Sequence, residues 1–251
     1  SSMYIVIASF IVGILIGLTS MGGAALMTPF LVVFAGVPAV LAVGTDLVYS
    51  AITKIVGATA HFRQGTVDLR IVKLLAIGSI PGSFLGFFFV HSLHRFGIDG
   101  DAWVRHALGV VLVLVALIIL YRTIFLDPAP RELPAARIPV LTIGVGALVG
   151  FVVGMTSVGS GSLLTPFLVL VFPNKSARVI GTDVFHAAIL VTATAFLYIN
   201  AGQVQWNLMP RLLAGSVPGV LIGSALAARI PARGLRFGLS ALLFATGYRL
   251  I

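Results

Sequence analysis

Residues 17–32 read GLTSMGGAALMTPFLV and residues 154–169 read GMTSVGSGSLLTPFLV. One chain carries nearly the same stretch twice, rich in Gly, Ser and Thr. The shared register extends far beyond it. Gly17 falls on Gly154, an offset of 154 − 17 = 137. The same offset carries Thr28-Pro29-Phe30 onto Thr165-Pro166-Phe167 and Gly44-Thr45-Asp46 onto Gly181-Thr182-Asp183. It also carries Gly65 onto Gly202 and Gly78-Ser79-Ile80-Pro81-Gly82 onto Gly215-Ser216-Val217-Pro218-Gly219. A single ungapped offset held this far marks a duplicated unit.

The surroundings of both copies are fit for lipid. The chain is 59% hydrophobic and 9% charged, with a mean hydropathy of +1.14, whereas soluble domains carry about 25% charged residues. Residues 3–45 and 138–174 contain no Asp, Glu, Lys or Arg, and about 20 apolar residues cross a bilayer as a helix. Runs such as ALGVVLVLVALIILY (107–121) lack the alternation of barrel strands. The fold class is therefore all-α and polytopic. The first apolar run has neither a basic leader nor an A-x-A site and reads as a span. There are no cysteines, so thiol chemistry is excluded.

The units are repeat 1 (1–125), a proline-rich linker (126–137) and repeat 2 (138–251), forming one transport domain. Apolar runs are expected at about 4–20, 24–36, 39–61, 70–91 and 103–122, and at 138–157, 161–173, 178–199, 207–228 and 234–250. The second run of each repeat is too short to span, so the GLTSMGG and GMTSVGS stretches are expected to break a helix within the membrane. An odd number of crossings per repeat would invert the second copy. Loop charge agrees. Arg63, Arg70 and Lys73 lie between the third and fourth runs, where repeat 2 has no Lys or Arg in 199–210. Lys175 and Arg178 face an uncharged 36–39, and Arg229, Arg233 and Arg236 face a balanced 92–105. The positive-inside rule then puts the linker in the cytoplasm and both termini outside. The net charge of +9 and pI of 10.9 serve this topology, with the bilayer rather than nucleic acid as partner. The oligomeric state stays open.

Inverted repeats with matched, Gly-interrupted helices are the pattern of secondary transporters. Thr19, Ser20, Gly22 and Gly23, with Thr156, Ser157, Gly159, Ser160, Gly161 and Ser162, are the candidate substrate site. A broken helix leaves free N–H groups at the start of its second half, and these favour an anion. Close helix packing is the competing use of such small residues. Thr45, Asp46, Thr182 and Asp183 are candidates for coupling or substrate contact, against a simpler reading of the acids as N-caps. As N-caps they would leave a uniport, which the membrane potential alone can drive at about 2.3 kcal/mol per charge per 100 mV. His186, one turn after Asp183, could relay a proton. Lys54, deep in a span, is a further candidate. Snorkelling or pairing with Asp46 is its plainer reading. Packing is the favoured use of the two Gly-x-x-Pro-Gly motifs. Gly78→Ala is therefore expected to be milder than valine at Gly23 or Gly161. With no H-E-x-x-H, no G-x-S-x-G and seven acids in all, neither an enzyme nor a cofactor or metal site is expected.

The doubled G-x-T-S-x-G pattern, AVGT (42–45), HFRQGTVD (61–68), GSIPG (78–82) and GSVPG (215–219) resemble the sulfite exporter TauE/SafE family. The resemblance spans nearly the whole chain. It implies export of sulfite, organosulfonates or related small oxyanions. The rival is a proton- or cation-coupled permease for another solute, centred on Asp46 and Asp183.

Overall fold

Inside a bilayer every backbone N–H and C=O must be satisfied by the chain itself, and apolar runs of this length answer with helices. The computed structural model describes residues 2–19, 24–125, 133–172, 175–227 and 229–251. Among them are ten α-helices and no strand. Repeat 1 holds α1 (Ser2–Thr19), α2 (Ala24–Val33), α3 (Ala39–Arg63), α4 (Leu69–Ser92), a 3-10 turn (Leu93–Phe96) and α5 (Gly100–Ile124). Repeat 2 holds α6 (Ile138–Thr156), α7 (Leu164–Val171), α8 (Ser176–Asn200), α9 (Met209–Ala227) and α10 (Ala232–Leu250). Six of these, α3, α4, α5, α6, α8 and α9, are long and apolar enough to cross a membrane.

The short helices are shorter still than their apolar runs. α2 has 10 residues and α7 has 8, about 15 and 12 Å at ~1.5 Å per residue. After α2 the chain turns through Gly36, whose φ of 66° suits a residue without Cβ. Before α7, residues 157–163 are spent on the break itself.

Helix starts are set by loop residues, and this corrects one expectation. Asp46 and Asp183 are not N-caps: α3 begins at Ala39 and α8 at Ser176, so each acid lies about two turns inside its helix. The N–H groups that open α3 are served from elsewhere, with Val40 N donating to Asp101 Oδ1 at 3.0 Å. The side chains that do cap are Asp68, which accepts from Arg70 N and Ile71 N, and Asp99, which accepts from Asp101 N.

The repeats interlock. α1 packs along α9 and α6 along α4, in the two most extensive helix contacts of the molecule. Both interfaces are made by small residues that let backbones touch. A Cβ on Gly78, Gly82 or Gly86 would meet the backbone of Ile143, Ala147 or Phe151. In the same register, one on Gly215, Gly219 or Gly223 would meet Val6, Phe10 or Ile14. Pro81 and Pro218 face away from these seams, both exposed. The Gly-x-x-Pro-Gly motifs are packing surfaces, as expected, and Gly78→Ala is consequently not a mild change. The obstructing atom is the Ile143 carbonyl, which is backbone and cannot swing aside.

α3 and α8 meet at the centre. Phe62 stacks on Phe185 at 5.7 Å, and Gly57 touches Val184, while the far end of α3 at Gly44 lies against Tyr198 and Gln203. The two equivalent helices therefore run antiparallel.

Candidate functional site

α3 and α8 bring their polar residues to the middle of the protein, beside the helix break of repeat 2. There α6 ends at Thr156, Ser157 takes a left-handed φ of 65°, and Gly159 has a φ of 130°. The break is buried: Thr156, Ser157 and Ser160 have no exposed surface, and Ser162 has 5%. The Leu163 N–H donates to Gly159 O and that of Thr165 to Gly161 O, so the chain is already coiling toward α7. The N–H groups of Gly159, Ser160, Gly161 and Ser162 donate to no acceptor among the described residues. This is the set of donors a helix start leaves open.

Two side chains of α3 hold this break. Lys54 donates from Nζ to Ser160 Oγ at 2.7 Å. It does not pair with Asp46 among the described residues. Its charge acts on Asp183 and Asp46 without an ion pair forming to either among the described residues. Asp46 accepts from Ser157 Oγ on Oδ2 at 2.8 Å, from Ser50 Oγ on Oδ1 at 3.1 Å, and from the Thr28 hydroxyl on Oδ2. Three hydroxyl donors thus surround a carboxylate with no exposed surface, and hydrogen bonding of this kind is what buried charge requires.

Asp183 stands in the same register with less around it. Thr165, the counterpart of Thr28, lies 3.0 Å from its Oδ2. Oδ1 is buried and has no partner among the described residues. Ala187 replaces Ser50, and Val191 replaces Lys54. One turn on, His186 Nε2 sits 2.7 Å from Ser79 Oγ, and its Nδ1 is buried without a partner among the described residues. The counterpart of His186 is Tyr49, whose phenol faces Ser216, the counterpart of Ser79. The Ser216 hydroxyl closes no hydrogen bond of ordinary geometry there.

Thr45 and Thr182 are drawn into the frame. Thr45 Oγ1 accepts from Gln205 N at 2.9 Å, and Thr182 Oγ1 accepts from Asp68 N at 3.1 Å. Each threonine thus ties its own repeat to the loop before the fourth helix of the other.

The structure brings together Ser157, Ser160, Asp46 and Lys54, with Asp183 and His186 alongside. Ser20, Gly22 and Gly23 lie outside the described residues, and Thr19 is described only as the last residue of α1. Sequence reasoning passed over Thr28, Thr165 and Ser50. A signal for the threonines exists, since the spacing from Thr28 to Asp46 recurs between Thr165 and Asp183.

The chain as a whole has counterparts among known proteins. A match to the sulfite exporter TauE/SafE family runs over residues 5–250. The chain belongs to this family. A probable membrane transporter protein of Bacillus subtilis, YjnA, is 44% identical over 255 residues and the full length of both chains. A second from the same organism, YdhB, is 27% identical across 88% of this chain and 89% of its own. A third, YunE, is 23% identical across 100% and 97%. No solved structure matches the chain. Membership in the TauE/SafE family, with the six apolar helices, makes this a multi-pass membrane transporter.

Proposed function

We propose that the protein exports a small oxyanion, sulfite or an organosulfonate, across a bacterial inner membrane, and that the anion binds at the break before α7. The observation that carries this reading is the Lys54 ammonium, 2.7 Å from Ser160 Oγ, next to four consecutive N–H groups without acceptors among the described residues. A cation and a row of open amides together suit a tetrahedral or trigonal anion, which accepts from several donors at once. The family's printed description favours sulfite. The antiparallel run of α3 and α8, with the alternating loop charge, supports opposite orientation of the repeats in the bilayer, linker inside. The role is transport without catalysis.

Proteoliposome flux tests it, with sulfite, sulfoacetate, taurine, sulfate and thiosulfate offered in turn. Flux of sulfite or a sulfonate is expected, with loss of at least tenfold in Lys54→Met and in Gly161→Val. Undiminished flux in both variants would move the site away from this break.

A further inference from the structure

The two acids at equivalent positions are built for different charge states. Each hydroxyl carries one proton and can donate it once. Thr28 donates to Asp46 and to no other acceptor among the described residues, and Ser50 and Ser157 give their protons to the same carboxylate. Thr165 is placed otherwise. Its hydroxyl lies against both Gly161 O and Asp183 Oδ2, and the contact to Gly161 is the shorter. The proton serves the carbonyl, as threonine commonly does four residues back in a helix. The 3.0 Å contact to Asp183 is then the weaker share of that proton, and a proton on the carboxyl would make it a full hydrogen bond. The other oxygen, Oδ1, is buried with no donor among the described residues. An ionised carboxylate left so would bear the full cost of burial.

We propose that Asp183 is the proton-binding carboxyl of this transporter, protonated in the present conformation and donating to Thr165, while Asp46 remains the fixed anion. The groups around Asp183 fit that task. Lys54, from α3, is the cation that acts on it. α6 and α7 carry no titratable side chain, and α4 carries Arg70 and Lys73 in its first turn and His91 in its last. On α8 itself His186 lies one turn away, its Nδ1 as unpartnered as Asp183 Oδ1. An anion seated at Lys54 would offset the one positive charge that favours ionised Asp183. Anion and proton therefore strengthen each other's binding, and by linkage the effect is reciprocal. That consequence rests on the anion site proposed above, whereas the proton site does not.

Infrared spectroscopy separates the two. A protonated carboxyl has a carbonyl stretch that an ionised carboxylate lacks. The purified protein should show such a band, shifted in heavy water, lost in Asp183→Asn and retained in Asp46→Asn. If Asp183→Asn fails to fold, Thr165→Val replaces it: the hydroxyl partner is gone and the stretch should move. A band absent from the wild type, or unmoved by both Asp183→Asn and Thr165→Val, overturns the proposal. Methanesulfonate, ionised throughout, is the anion probe. It should raise the pH at which the band bleaches. A band assigned to Asp183 but indifferent to methanesulfonate would leave the proton site standing and remove the anion from Lys54.

Discussion

Asp46 and Asp183 occupy one register of a duplicated frame and meet opposite surroundings. Around Asp46 stand Thr28, Ser50 and Ser157, and Lys54 follows two turns later. Around Asp183 the corresponding places hold Thr165, whose hydroxyl lies closer to Gly161 O, then Ala187 and Val191, while Ser20, the counterpart of Ser157, lies outside the described residues. The frame itself has hardly diverged. Gly44 against Gln203 matches Gly181 against Thr66, and Thr45 to Gln205 matches Thr182 to Asp68. Duplication kept the parts that let two repeats interlock and released the side chains between them. On the proposal above, one half holds a permanent charge and the other a site whose charge changes.

The harshest way to break the comparison is to strike the shared frame. Gly78→Ala and its counterpart Gly215→Ala each drive a methyl into the backbone of the facing helix, at Ile143 and at Val6. Overpacking costs about 1–3 kcal/mol, and a backbone obstacle puts both at the upper end or beyond. Thermal unfolding in detergent should show large and similar losses. A mild Gly78→Ala beside a severe Gly215→Ala would mean that the two seams are not equivalent.

Next come the acids. Asp46→Ala strands three buried hydroxyl donors, each worth about 1–3 kcal/mol when unsatisfied, less whatever the serines recover by turning to backbone carbonyls. Asp183→Ala strands none, since Thr165 keeps Gly161. The expected loss is about 3 kcal/mol for Asp46→Ala and under ~1 kcal/mol for Asp183→Ala, read from the same unfolding experiment. Equal losses would show both acids to be structural.

How much of this was legible beforehand follows the same division. Helices and the glycine seams were readable, because burial in lipid forces helix and an ungapped offset lays one seam on the other. Lys54, Asp46 and Asp183 stood out because charge inside a span is costly. Their partners did not. Ser160 is 106 residues from Lys54 and Ser157 is 111 from Asp46, and no local period links such pairs. The N-cap reading failed because Gly-Thr-Asp resembles a helix start, while the true start of α3 is served by Asp101 from another helix. The difference between Thr28 and Thr165 depends on one carbonyl, which composition cannot reveal.

Smaller effects sharpen the frame. Thr45→Val and Thr182→Val keep the shape of the side chain but leave the N–H of Gln205 or Asp68 without its acceptor. Each should cost about 1 kcal/mol, the ordinary worth of such a bond. Sharing no partner, they should add in the double variant to within ~0.5 kcal/mol. Chemical denaturation of the single and double variants reads this. Strong non-additivity would mean that the two ties report one concerted joint between the repeats.

The smallest change asks most directly why the repeats differ. Ser50 gives Asp46 a donor from four residues along the same helix, at 3.1 Å, and Ala187 is the residue in its place beside Asp183. Ala187→Ser would restore the missing donor. Its hydroxyl has two uses: it can reach the Asp183 side chain, as Ser50 reaches Asp46, or bond back to the Asp183 backbone carbonyl. The free Oδ1 favours the first, because a buried acceptor with no partner gains more than a carbonyl already in a helix. Stability should change by less than about 1 kcal/mol, the net value of one hydrogen bond. The charge state should change visibly, because a donor to the carboxylate favours its ionised form. The carboxyl stretch should therefore weaken at a given pH in Ala187→Ser, while the reciprocal Ser50→Ala should add a second band from Asp46. An unchanged spectrum in both would show that donor number does not set which acid holds the proton, and Lys54 alone would then have to account for the asymmetry.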